Sequence, residues 1–211
     1  MSDFSFSATD NLDDLGSTVT KYDHNVAALC LLKELEAEGR TEASLHEQTI
    51  LSRYTGWGDG TVLKRAFPHG NSSQLPPSEE LKELLTGDEL KALRASSLNA
   101  HYTSLAVIRA IYAGLGYTGL QRLAGVRGAR LRVLEPAAGI GHFIGAMPKE
   151  FREVSEWAAV ELDPLSARIT RMLYPSARVF AEGFESANLP SNWFDLCVSN
   201  VPFGNYKVCD P

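Results

Sequence analysis

The stretch "LRVLEPAAGIGHFIG" (131–145) decides how the rest of the chain is read. Its first six residues are a short apolar run of the kind found in a strand buried on both faces. "AAGIGHF" follows as a glycine loop and leads into a helix through "FIGAMPKEF". Gly139 and Gly141 therefore fall between a strand and a helix, where glycine lets backbone approach a ligand closely and the helix start offers free N–H groups. Ordinary tight turns also produce Gly-x-Gly, so the neighbouring segments must decide what this one means.

Downstream, "WAAVELD" (157–163), "ARVFAEGF" (177–184) and "FDLCVSNVPF" (194–203) read as three more strands, and Pro164 opens a helix over "PLSARITRMLY". Strands alternating with helices predict a parallel sheet with right-handed crossovers, a doubly wound α/β arrangement. Upstream, "SLAVIRAIYAGLG" (104–116) reads as a helix stopped by Gly116. Apolar spacing predicts a helix over 25–38, a second near 43–53, and further helix in "SEELKELLTGDELKALRASS" (78–97) after the linker "HGNSSQLPPS". Residues 1–22 are polar and are expected to be disordered. The expected division is thus a disordered 1–22, a helical region 23–98, and an α/β domain from 99 to 211. Between the helices lies "RYTGWGDG" (53–60), where Trp57 fits either a packed loop or a site.

Composition narrows the classes. No apolar run approaches a bilayer's thickness, and "MSDFSFSATDNLDDLG" has neither a basic n-region nor an apolar h-region, so no membrane partner and no export are expected. Cys30, Cys197 and Cys209 are scattered and odd in number, which fits a reducing, cytoplasmic setting and shows no metal spacing. The net charge of −6 is unevenly spread: residues 1–50 carry −7 and the remainder +1. "QRLAGVRGARLR" (121–132) holds four arginines and no acid, and fits either a solvated loop or a phosphate-facing patch.

Two acids frame the glycine loop. Glu161 follows Gly141 by twenty residues, the distance at which a carboxylate takes the ribose hydroxyls of a nucleoside. Glu135 ends the first strand, where a carboxylate repels a pyrophosphate and suits a ligand carrying positive charge. The loop also lacks the third glycine of a dinucleotide fingerprint. S-adenosylmethionine, an adenosine with a sulfonium and an amino-acid tail, answers both demands; a Glu135 that only caps or pairs locally is the alternative.

"AHYTS" (100–104), "VLEPAAGIGHFIG" (133–145), "AVELDPLSARI" (159–169) and "SNVPFGNY" (199–206) together resemble the amino-group class of S-adenosylmethionine-dependent DNA methyltransferases. The match is closest to the methylase portion of methylase–helicase fusions of plasmids and other mobile elements, which also carry a segment like "RYTGWGDG". The resemblance implies a bacterial, cytoplasmic enzyme with a Rossmann-like methyltransferase sheet, acting on DNA with S-adenosyl-L-methionine as cofactor. It implies that Tyr102 and Thr103 help hold the methionine moiety, that Glu135, Ala137, Gly139 and Gly141 form the cofactor loop, that Glu161 binds ribose, and that Phe184 packs on adenine. An Asp often precedes that aromatic; here Gly183 stands there, leaving adenine's amino group to backbone or Glu182.

"SNVPFGNY" carries the chemistry that the resemblance implies. Adenine's exocyclic amine is a poor nucleophile because its lone pair is delocalised into the ring. The amide oxygen of Asn200 and a backbone carbonyl, of Val201 or Pro202, would accept its two hydrogens and aim the lone pair at the methyl group. Pro202 stiffens the loop. Phe203 offers a stacking face for a flipped base, worth ~1–3 kcal/mol, or else packs in the core. Val201 replaces the second residue of the more usual Asn-Pro-Pro-aromatic order, as in the fusion proteins.

The expected activity is adenine-N6 methylation of DNA. The alternatives are methylation of an RNA base or a protein glutamine, and a non-catalytic module that holds cofactor or DNA in a larger assembly. The family's sheet has seven strands and four are read here, so the chain is expected to be an N-terminal fragment. On that expectation its partner is the missing C-terminal methylase portion, with a helicase portion possible beyond it. Phe194, Leu196 and Val198 would then lack part of their cover, and the isolated chain would bind cofactor weakly, methylate little and self-associate.

Overall fold

The computed structural model describes residues 2–11, 17–70, 75–97, 102–120, 122, 128 and 130–201. Four strands, β1 (Leu131–Glu135), β2 (Ser155–Val160), β3 (Arg178–Phe180) and β4 (Leu196–Cys197), form one sheet in the order β3-β2-β1-β4. Every pairing is parallel, with Val133 opposite both Trp157 and Leu196. The order is that of a Rossmann-like, doubly wound sheet. The chain steps outward from β1 to β3, then returns to the other side of β1 as β4. That reversal leaves a crevice between the carboxyl ends of β1 and β4, the place where open parallel sheets bind ligands.

Among the described residues, the third and fourth strands are shorter than the apolar runs 177–184 and 194–203 predict, the last two positions of the second run lying outside them. Strand length depends on a neighbour to pair with, and β3 and β4 each have a single neighbour among the described residues. Beyond Phe180 and Val198 the chain leaves the ladder and turns over the carboxyl edge.

Preceding the sheet, the structure describes the helices α1 (Thr18–Ala37), α2 (Leu45–Leu51), α3 (Gly60–Ala66), α4 (Glu79–Leu84), α5 (Gly87–Ser96) and α6 (Leu105–Thr118). The run 78–97 divides in two because Leu85 is extended and Thr86 starts a new helix, exchanging capping hydrogen bonds with Glu89. Helix α6 continues past Gly116 and ends where Gly119 adopts φ 70°. Within the sheet portion, the described helices are α7 (His142–Gly145), α8 (Lys149–Arg152) and α9 (Pro164–Leu173). Asp163 caps α9 by accepting from the Ser166 backbone N–H at 3.0 Å, with Pro164 at the first helical position.

One core joins the helical region to the sheet: Leu29, Leu32, Leu51 and Trp57 are buried in the same cluster as Val133, Leu165, Ile169 and Leu173. The second face of the sheet buries a smaller cluster, Leu134, Ala158 and Val160, beneath Phe180, Ala187, Leu189 and Phe194. Phe194 and Val198 thus lie in different clusters rather than on one bare face, and Val198 is buried. Arg168 of α9 reaches the carboxylates of Glu36 in α1 and Glu89 in α5, the latter at 2.5 Å. This partly buried fork fixes the N-terminal helices on the helix that follows β2.

The expectation of a disordered 1–22 is corrected where the chain is described. Phe4 N–H donates to the Leu173 carbonyl at 2.9 Å, Phe6 N–H donates to the Gly145 carbonyl at 3.0 Å, and α1 already begins at Thr18. The alternating aromatics of "DFSF" supply burial that the polar composition conceals. No helix among the described residues is long and apolar enough to cross a membrane.

Candidate functional site

A cavity of about 740 Å³ opens at the carboxyl ends of the strands. Glu135 at the end of β1, Pro136 to Gly139 of the glycine loop, Glu161 after β2, Glu182 to Glu185 after β3, and Asn200 after β4 all line it. Tyr102 and Thr103, which precede α6, complete the set that the sequence singles out. Nine of the residues expected to bind cofactor or act in chemistry thus divide cleanly: Tyr102, Thr103, Glu135, Ala137, Gly139, Glu161, Phe184 and Asn200 share one cavity, and Gly141 does not line it. Val201, half-exposed, is also outside the lining. Pro202 and Phe203 lie outside the described residues.

The two glycines have different reasons to be glycine. Gly139 has φ 57°, and a Cβ there would come within 2.5 Å of the Tyr102 ring, so the loop passes directly beneath that aromatic. Gly141 has φ 79°, and its Cβ would meet Tyr174 at 2.5 Å, which makes it a packing and turning residue behind the cavity.

Glu161 organises the loop. One carboxylate oxygen accepts from the Gly139 N–H at 2.6 Å and the other from the Asp163 N–H at 2.7 Å. The glycine loop is further tied to the sheet by Ala138 N–H donating to the Val160 carbonyl at 2.9 Å. Burial raises the Glu161 carboxyl above its ordinary value, against the opposing pull of those backbone N–H groups.

Glu135 is the outlier. It is 2% exposed, its Oε2 has no hydrogen-bond partner, and burial followed by the nearby Glu161 charge pushes its carboxyl well above the usual range. A buried unsatisfied acid costs stability, so its presence argues for a ligand to satisfy it. Below the ordinary carboxylate range the group is protonated in both folded and unfolded chains and costs little. As pH rises from there toward the raised folded value, the unfolded chain releases its proton first and stability is lost. Glu135→Gln is therefore expected to raise the melting temperature on the order of 5 °C at pH 8, with a smaller gain at pH 5. Thermal melts at the two pH values check this.

The helical region supplies a wall that sequence reasoning missed. Tyr54 and Gly56 of "RYTGWGDG" and Ala92, Ala95 and Ser96 of α5 line the same cavity. Trp57 itself is packed: it is fully buried, and its indole N–H donates to the Tyr54 hydroxyl at 2.9 Å. Asn25 of α1 holds the loop, donating to the Gly56 carbonyl at 2.6 Å and accepting from the Thr55 N–H at 2.7 Å. His142 and Asp163 are further lining residues that the sequence reading did not select. Their only sequence signals are position, one directly after the second glycine and the other in an Asp-Pro helix start.

The lining acids Glu135, Glu161, Asp163, Glu182 and Glu185 face no lysine or arginine in the described lining. Among the described residues no cluster of three or more His, Cys, Asp or Glu is placed to hold a metal ion. No family model, curated protein or solved structure matches the chain.

Proposed function

We propose that this chain binds S-adenosylmethionine in the cavity and contributes to methyl transfer onto the exocyclic amine of adenine in DNA. The observation that carries the reading is charge: a nucleoside-sized cavity at the switch point of a parallel sheet is lined by acids without a described lysine or arginine. A dinucleotide or nucleoside triphosphate would find no described cation there for its phosphates, whereas a sulfonium and an ammonium supply the positive charge that favours the ionised carboxylates. Glu161 supports the ribose assignment because each of its oxygens spends one lone pair on a backbone N–H and keeps another for a hydroxyl.

Asn200 supports the chemistry. It stands beyond β4, across the switch point from Glu135, and lines the same cavity. An amide there can accept a hydrogen of an amine presented at the cavity and align its lone pair with the methyl group. The proton lost after transfer leaves through solvent, since Asn200 accepts a hydrogen bond and is not itself a base. The test is transfer of a tritiated methyl group from S-adenosylmethionine to DNA, RNA and protein, with hydrolysis of the labelled product. Label in N6-methyladenine of DNA supports the reading. Label in RNA or glutamine alone overturns the substrate, and binding of cofactor without transfer to any of the three overturns the activity.

A further inference from the structure

His142 is an aromatic ring held in place by two others. It is 6% exposed, its ring lies 4.9 Å from that of Tyr102 and 5.6 Å from that of Phe6, and neither ring nitrogen makes a hydrogen bond of normal geometry. Phe6 is fixed in turn by its backbone bond to Gly145. A histidine chosen only for packing is readily replaced by Phe, which lacks two buried polar atoms in need of partners. His142 lines the same cavity as Glu135 and Asp163, two more buried residues with an unpartnered side-chain oxygen, and of these Glu135 immediately precedes the glycine loop.

Resting on the reading of the cavity as a site for S-adenosylmethionine, we infer that His142 is a ligand-contacting residue that, with Glu135, recognises the α-amino-acid end of the cofactor. The chemistry of the pair matches a zwitterion. A carboxylate accepts from an ammonium, and a neutral imidazole, with one donor and one acceptor nitrogen, can meet either the ligand's carboxylate or its ammonium. Burial pushes the His142 imidazole down to about 4, against a smaller pull from the Thr103 backbone, so the ring is neutral and retains one donor and one acceptor. Glu161 already serves the glycine loop and stands after the adjacent strand, which separates the two ends of the ligand: ribose toward Glu161, amino acid toward Glu135 and His142. The Phe6 and Tyr102 rings fix the imidazole's plane, so the contact costs little side-chain entropy.

The experiment uses two ligands that share the adenosine and differ in the amino-acid end: S-adenosylhomocysteine, which has it, and 5′-methylthioadenosine, which does not. Their affinities are measured calorimetrically on the wild-type chain and on His142→Phe, which keeps an aromatic between Phe6 and Tyr102 and removes both nitrogens. His142→Gln is a second variant, which keeps a donor and an acceptor. His142→Phe is expected to weaken S-adenosylhomocysteine about tenfold and leave 5′-methylthioadenosine within twofold, with His142→Gln recovering part of the loss. Equal loss for both ligands, or no loss for either, overturns the role of His142 while leaving the cofactor reading intact. Failure of the wild-type chain to bind S-adenosylhomocysteine overturns both.

Discussion

Glu161→Ala should weaken cofactor affinity by at least tenfold. The side chain is proposed to hold the ribose hydroxyls while its oxygens anchor the Gly139 and Asp163 N–H groups at 2.6 and 2.7 Å. A hydrogen bond to a charged group contributes ~1.5–3 kcal/mol, which corresponds to roughly 10- to 150-fold in affinity. Alanine also leaves two part-buried backbone donors without their carboxylate partner, so the loop that passes beneath Tyr102 loses its anchor. Glu161→Gln is expected to lose affinity as well, because an amide turned to bind one N–H presents its own NH2 to the other. Calorimetry with S-adenosylhomocysteine, alongside melting curves to separate binding from unfolding, measures the effect. Unchanged affinity in a folded Glu161→Ala variant would remove Glu161 from the ligand's path.

Asn200→Ala should lower methyl transfer on the order of 100-fold or more while leaving cofactor affinity within about twofold. The amide is proposed to act on the target amine alone, and removing one preorganised transition-state hydrogen-bond partner typically costs that much in rate. The side chain is exposed, and no hydrogen bond ties it to the glycine loop, so its loss is not expected to disturb the cofactor's wall. The assay is tritiated methyl transfer to plasmid DNA, with wild type and variant compared side by side. A variant with normal turnover, or one that fails to bind cofactor, would mean that Asn200 has a different role.

The part of the site that was legible in the sequence is the part built locally. The glycine loop is readable because strand, glycines and helix follow one another in the chain. Glu161 is readable because the next strand of a parallel unit returns at a fixed spacing. Asn200 is readable through its motif, and the cavity then gathers these residues without further adjustment. The N-terminal wall was not legible. Ala92, Ala95 and Ser96 carry no chemical signal, and their position depends on Arg168 reaching carboxylates 79 and 132 residues away in sequence. The same holds for Phe4 and Phe6, which look like part of a polar leader until α7 and α9 offer them backbone partners. The roles of the two glycines also needed coordinates, since only the positions of Tyr102 and Tyr174 distinguish a loop beneath the cavity from a packing turn. The lengths of β3 and β4 depended on which strands lay beside them, information no apolar run contains.

The measurement that bears most directly on the account is ligand discrimination by the 211-residue chain itself. S-adenosylmethionine, S-adenosylhomocysteine, NAD and ATP are titrated separately into the wild-type protein and into Glu135→Gln. An acid-lined nucleoside site predicts saturable binding of the first two by wild type, no detectable binding of the two phosphate-bearing ligands, and weaker binding of S-adenosylmethionine by Glu135→Gln even though that variant melts higher. Saturable binding of NAD or ATP with none of S-adenosylmethionine would contradict the assignment of the cavity, and with it the proposed chemistry.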